Sequence, residues 1–214
     1  MNERPSMKER REKIQAKVEA RLRPLTVPNV VTMIRMAMIP FFVLAVNERD
    51  FRLALLILVL AGLTDAMDGY LARSFNMESV IGAYLDPIAD KLLLTTAYVV
   101  LTIDNGQTVV IPLWLTILAL FRDFLIIIVA LGLFVVEDIR KFPPTAWGKA
   151  TTFMHVTTVS VVLLANVWPV PRIVPDACFY ISFFLVLFSG FHYIYRAGRS
   201  LEEQNEAKEE QPDE

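Results

Sequence analysis

The sequence predicts an all-α integral membrane protein, with six transmembrane helices preceded by an amphipathic helix on the membrane surface. Three observations predict it. Of 214 residues, 55% are hydrophobic and the mean hydropathy is +0.46, which suits a small polytopic membrane protein better than a soluble domain. Six apolar stretches follow one another, and the second, Leu53–Ala72, spans roughly 30 Å as a helix, about one bilayer core. Lysines and arginines gather on one side of the predicted membrane.

Residues 1–24 form the first segment. Ile14, Val18 and Leu22 recur every four residues among Lys8, Arg10, Arg11, Lys13, Lys17, Arg21 and Arg23. The pattern reads as a basic amphipathic helix on an anionic lipid surface, or equally as a solvated helix that supplies positive charge inside. A charged stretch of this length does not fit a cleavable signal peptide. Pro24 and Pro28 then break the chain.

Residues 25–198 read as one membrane domain. Its spans are expected at about Val30–Val46, Leu53–Ala72, Pro87–Ile103, Val109–Val136, Gly148–Val167 and Ile173–Tyr195. The fourth is long enough to tilt. Trp114, Trp147 and Trp168 read as interface anchors. Residues 199–214 close the chain. Seven acidic residues and one lysine in Leu201–Glu214 predict a solvated, disordered tail.

Orientation follows from the 21 basic residues. With the N-terminus inside, fourteen fall on the cytoplasmic side and three, Arg49, Arg52 and Arg172, outside. Both termini are therefore expected in the cytoplasm, with the chain as a multi-pass protein of the cell (inner) membrane. A net charge of −2 argues against a nucleic-acid partner, and the single cysteine, Cys178, excludes an intrachain disulfide.

The chemistry concentrates between Asp65 and Asp90. Asp65 and Asp68 are three apart and Asp86 and Asp90 four apart, so on helices each pair shares a face. A short turn between them predicts antiparallel neighbours with converging carboxylates. Each aspartate deep in a membrane helix costs roughly 2.5–3.5 kcal/mol, so four cost on the order of 10–14 kcal/mol before mutual repulsion. Arg73 and Lys91 are the cations nearest in sequence. Divalent ions, which prefer carboxylate oxygen, are the natural balance for the rest. The bland alternative is a salt-bridged helix end at the membrane surface.

Further polar residues stand inside or beside the spans. Thr32 and Arg35 are three apart in Pro28-Asn29-x2-Thr32-x2-Arg35 and face one way. They read as an acceptor or phosphate site, or Arg35 snorkels to the headgroups. Arg122 and Asp123 sit well inside the fourth span. Arg122 either faces a cavity and binds a phosphate or pairs locally with a polar neighbour. Lys149 at the start of the fifth span is a second cationic candidate. His155 reads as a hydrogen-bonded helix histidine and not as a ligand.

The stretch as a whole reads D-x2-D-G-x2-A-R-x8-G-x3-D-x3-D, filled by Asp65, Asp68, Gly69, Ala72, Arg73, Gly82, Asp86 and Asp90. This resembles the signature of the CDP-alcohol phosphotransferases at every specified position, and hydropathy from about Pro28 to Arg196 is similar to that family's six-helix fold. The resemblance implies a phosphatidyltransferase that moves the phosphatidyl group of CDP-diacylglycerol to an alcohol acceptor and releases CMP. It implies two divalent cations, Mg2+ or Mn2+, with Asp65, Asp68, Asp86 and Asp90 as ligands. Asp90 would also be the general base. Asp65, Gly69, Arg73 and Gly82 would bind the CDP group, the glycines by letting backbone come close. Thr32, Arg35, Arg122 and Lys149 remain the acceptor candidates. The lipid bilayer is the other partner, and a homodimer is common in the family.

The acceptor is less legible. Pro28-Asn29, Asp86-Pro87-x2-Asp90-Lys91 and Ile111-Pro112-x-Trp114 resemble the phosphatidylglycerophosphate synthase and cardiolipin synthase branches. Asp123, Ala130 and Thr151 depart from the first, which tends to carry Glu, Arg and Lys there. The Arg122-Asp123 pair and Phe191-His192-Tyr193-Ile194-Tyr195 look more like the second. The expectation keeps glycerol 3-phosphate first and phosphatidylglycerol as its alternative. A transporter or channel is the reading from another class, but it predicts an inverted repeat or charges along several helices. Neither is visible, because the aspartates cluster at one turn.

Overall fold

A computed structural model describes the backbone of residues 27–75, 80–137 and 146–209, with the side chains of most of 30–64, 88–129 and 146–199. The predicted surface helix at 1–24 lies outside the described residues. Among them there are six α-helices and no strand: α1 Val27–Asn47, α2 Phe51–Phe75, α3 Val80–Thr102, α4 Leu113–Glu137, α5 Ala146–Val167 and α6 Ile173–Glu209. Each predicted span overlaps one of these helices. Three stretches, Val30–Asn47, Ala146–Val167 and Ile173–Arg196, are long and apolar enough to cross a membrane by length and composition, and Phe51–Thr64 is a shorter apolar stretch.

The chain divides into two compact units within α3, residues 1–97 and 98–214. In the first unit, α1 and α2 pack along small and aromatic side chains. Phe42, Ala45 and Val46 of α1 are buried, as are Phe51, Ala54, Ile57, Leu58 and Ala61 of α2. The three-to-four spacing is one face of a helix. The turn between them is tight. Asp50 N–H reaches back to Ala45 O at 2.8 Å and Arg49 N–H to Val46 O at 3.0 Å, with Arg49 in the left-handed region at φ 61°. This is a Schellman-type helix end. Asp50 then caps α2, its carboxylate accepting from Leu53 N–H at 3.1 Å.

In the second unit the connection before α4 is tied down by side chains. Asn166 of α5 accepts from Thr108 and Val109 N–H and donates to Val109 O. Gln107 Nε2 donates to the carbonyls of Leu101 and Ile103, which end α3. The fourth predicted span began at Val109, but α4 starts at Leu113. Val109 and Ile111 are buried because this loop folds inward, at 4% and 0% exposure, and Pro112 stands just before the first helical residue. At the other end, α6 continues to Glu209, into the stretch expected as a disordered tail. Leu, Glu, Gln, Ala and Lys are good helix formers, and extending an existing helix needs no new nucleus.

Both units are apolar outside and partly polar inside. Phe41, Phe124, Phe153, Phe184 and Phe191 are mostly exposed, while Thr32, Arg35, Arg122, His155, Thr158, Ser182 and Ser189 are buried. Water would penalise such an exposed apolar surface, whereas hydrocarbon does not.

Candidate active site

The first unit carries the aspartate stretch. Asp65, Asp68, Gly69, Ala72 and Arg73 lie on α2, and Gly82, Asp86 and Asp90 on α3. The side chains of residues 65–87 lie outside the described residues, and so does the backbone of residues 76–79, where a turn was expected. The expected convergence of Asp65, Asp68 and Asp86 and the nucleotide contacts of Gly69, Arg73 and Gly82 therefore fall outside them as well.

Asp90 is described, and it joins two sets of candidates that stand apart in sequence. Arg35 Nη1 on α1 donates to Asp90 Oδ1 on α3 at 2.5 Å. Arg35 is 1% exposed and Asp90 43%. Arg35 therefore does not snorkel. Its neighbour at helical spacing, Thr32, is fully buried, while Met33 and Ile34 point outward. One face of α1 is polar and turned inward, and it brings a fixed positive charge to the last aspartate of the stretch. A guanidinium bound to a carboxylate fixes direction as well as charge. The carboxylate is thus oriented by Arg35 and remains 43% exposed.

In the second unit Arg122 is also buried, at 7% exposure. Its Nη1 donates to Asp123 Oδ1 at 2.7 Å and its Nη2 to Ser189 Oγ of α6 at 2.8 Å. Its Nε meets no hydrogen-bond partner among the described residues. The sequence left open a phosphate-facing cavity or a local partner, and the geometry has both in part. The charge is balanced next door by Asp123, yet Arg122 lines a cavity between α4 and α6. Lys149 is exposed in the first turn of α5. Two residues on, Thr151 is buried and donates to Trp147 O.

A polar seam through the second unit was missed from sequence. Thr151, His155 and Thr158 line one face of α5, and Ser182 and Ser189 one face of α6, all buried. Thr158 and Ser182 hydroxyls pair at 2.8 Å. His155 sits against Tyr98 with ring centroids 5.0 Å apart. The available signal was the spacing itself, since small hydroxyl residues seven apart stack on one helix face. Among the described residues there is no group of three or more His, Cys, Asp or Glu that could hold a metal.

The chain was compared with known proteins. Residues 25–191 match the family model for CDP-alcohol phosphatidyltransferases. The human protein named cardiolipin synthase (CMP-forming) is 41% identical over 105 residues, which is 49% of this chain and 34% of that protein. The cardiolipin synthase (CMP-forming) of Streptomyces coelicolor is 34% identical over 155 residues, 67% of each chain. A probable phosphatidylglycerophosphate synthase of Mycobacterium tuberculosis is 30% identical over 193 residues, 86% of this chain and 87% of its own. The match thus spans only about a third of the human relative, but most of the bacterial ones. Signature, helical architecture and family match agree, and the chain belongs to the CDP-alcohol phosphatidyltransferase family.

Proposed function

We propose that this protein is a metal-dependent phosphatidyltransferase of phospholipid biosynthesis, using CDP-diacylglycerol as donor and phosphatidylglycerol as acceptor, with release of CMP. The observation that carries the reading is the Arg35–Asp90 pair within a stretch that fills the family signature. A base must reach the proton it removes. Asp90, oriented by Arg35 and 43% exposed, suits that task. The acceptor hydroxyl oxygen attacks the lipid-side phosphorus, its proton passes to Asp90, and the bond from that phosphorus to the oxygen of CMP breaks. Arg35 is the positioning residue that aims Asp90.

The donor set Asp65, Asp68, Asp86 and Asp90 is all carboxylate, which suits Mg2+ or Mn2+. Two such ions, when bound, would neutralise charge on the attacked phosphate and on the leaving CMP. Asp65 with Gly69, Arg73 and Gly82 is proposed to hold the CDP group. All six helices are proposed to cross the cell (inner) membrane, with both termini and the aspartates on the cytoplasmic side, and a homodimer is compatible with this reading.

The acceptor order departs from the sequence expectation. Glycerol 3-phosphate carries a dianionic phosphate and calls for unpaired cations. Asp123 already balances Arg122, which favours an acceptor with less charge. Glycerol 3-phosphate stays as the second reading, supported by the longer alignment with the probable phosphatidylglycerophosphate synthase.

The test is release of labelled CMP from CDP-diacylglycerol by the purified protein, with phosphatidylglycerol or glycerol 3-phosphate supplied separately. Release should require Mg2+ or Mn2+, stop with a chelator, and be faster with phosphatidylglycerol. Asp90→Asn should lower turnover by about a thousandfold or more, the upper range for losing a general base, with the thermal midpoint kept. Near-normal turnover in that variant would remove the base assignment.

A further inference from the structure

Two buried polar atoms of the second unit belong to neighbouring rings and meet no hydrogen-bond partner among the described residues. They are Tyr98 Oη of α3 and His155 Nε2 of α5. The two residues are 2% and 7% exposed, with ring centroids 5.0 Å apart and planes tilted by 52°. The Tyr98 hydroxyl is turned toward Thr158 and Ser182, yet it bonds to neither. Both of those residues are fully buried. Thr158 Oγ1 donates to Met154 O at 2.8 Å, so the proton in its 2.8 Å contact with Ser182 comes from Ser182. Ser182 Oγ is left with lone pairs only. Buried polar groups in native proteins are paired, and an ordered water is the usual partner where no protein group serves.

We propose that one buried water is bound here, accepting from Tyr98 Oη, donating to Ser182 Oγ and joined to His155 Nε2. The chemistry of the three groups selects this occupant. They call for a molecule that both donates and accepts, because an imidazole nitrogen does either according to its tautomer. None of the three is a carboxylate, the ligand that a divalent cation would want. Their near-complete burial leaves no way in for a lipid or an alcohol. Three hydrogen bonds are the usual complement of a buried water. The water joins α3, α5 and α6 within the polar seam, and it gives His155 a role that is neither ligand nor base.

The test is radiolytic hydroxyl-radical labelling of the purified full-length protein in detergent, read by mass spectrometry. Radicals formed from a bound water oxidise the side chains that touch it. Phe179 of α6, at 5% exposure, is the dry aromatic control. After correction for intrinsic reactivity, Tyr98 and His155 should label severalfold faster than Phe179.

Substitution gives an independent reading. Tyr98→Phe should lower the unfolding midpoint by about 2–4 °C, the range for one net hydrogen bond in a chain of this size. His155→Phe should lower it too, and the double variant should fall no further than the lower single, since either change disrupts the same water. Tyr180→Phe, which alters a residue that is 62% exposed, should match the wild type. A midpoint that rises or holds in Tyr98→Phe overturns the site, because removing an unmade buried hydroxyl relieves its cost. Additive falls in the double variant would separate the two atoms and overturn the shared water. Labelling of Tyr98 and His155 no faster than Phe179 overturns it as well, and with a lowered midpoint would assign Tyr98 to a direct bond with Ser182. Should His155→Phe not fold, Tyr98→Phe and the labelling of the wild type still decide.

Discussion

Arg35 and Arg122 are both nearly inaccessible, and each holds an aspartate, yet the two pairs are built differently. Arg35 reaches across 55 positions of sequence to Asp90, and the carboxylate remains 43% exposed. Arg122 turns to its own neighbour, Asp123, and adds Ser189 from another helix. The first arrangement invests a buried charge in directing a group outward. The second encloses its charge. A charge buried in a membrane helix has to be compensated. Only the way it is compensated separates a group available for chemistry from one that fixes two helices together.

The largest difference should appear in turnover. Arg35→Ala is expected to lower kcat by about a thousandfold, and Arg35→Lys by about a hundredfold, with KM for both substrates within a few-fold of wild type. Displacing a catalytic group by an ångström can cost about a hundredfold. Lysine restores the charge but not the planar fork that sets direction. Because Asp90 is 43% exposed and lysine keeps most of the buried volume, the thermal midpoint of Arg35→Lys should move little, while Arg35→Ala empties a side chain that is 1% exposed and should lower it. If Arg35→Lys recovered nothing over Arg35→Ala, or if KM rose as steeply as kcat fell, Arg35 would not be a positioning residue.

The second pair should respond in stability. Asp123→Asn leaves the buried guanidinium without its counter-charge, and removing one partner of a buried pair costs about 3–5 kcal/mol in general. Asp123 is 27% exposed and Ser189 remains, so about 2–4 kcal/mol is expected here. The readout is a lower unfolding midpoint in detergent. Arg122→Met combined with Asp123→Leu should recover most of that loss, since replacing a whole buried pair by apolar side chains is often neutral. An additive double variant would show that the two residues act independently and would weaken the contrast with Arg35–Asp90.

What the sequence disclosed follows the same division. Hydropathy located all six helices because a long apolar run has few other folds in a membrane. It misplaced the start of α4 because Val109 and Ile111 are apolar for another reason. They fill the interior from a loop that Asn166, more than fifty positions away, holds in place. Arg35 and Asp90 were each singled out, but not as partners, since spacing reports faces of one helix and not contacts between helices. Arg122-Asp123 was visible as a dipeptide, but whether it would close on itself depended on Ser189, which carries no mark in the sequence. Thr151, His155 and Thr158 are one face of a helix whose composition is otherwise ordinary. Their burial emerges only once α6 is packed beside them.

The smallest expected effect lies away from both pairs, at the turn that sets α1 against α2. Arg49 adopts φ 61° there, a conformation that costs a non-glycine residue roughly 1–2 kcal/mol. The position is the left-handed end of a Schellman-type cap, where glycine is the usual occupant. Glycine would remove that cost but adds chain entropy to the unfolded state, about 0.5–1 kcal/mol. Arg49→Gly is therefore expected to stabilise by about 0.5–1 kcal/mol net, or a rise of about 1–4 °C in the unfolding midpoint. Turnover should not change, because no side chain of Arg49 is used in either pair. Arg49→Val should move the midpoint down, since a β-branched residue tolerates this conformation least. A fall with glycine would mean that the turn is held by the arginine side chain and not by its backbone. The hydrogen bonds from Asp50 to Ala45 and from Arg49 to Val46 would then not be what joins the two helices of the unit that carries Asp90.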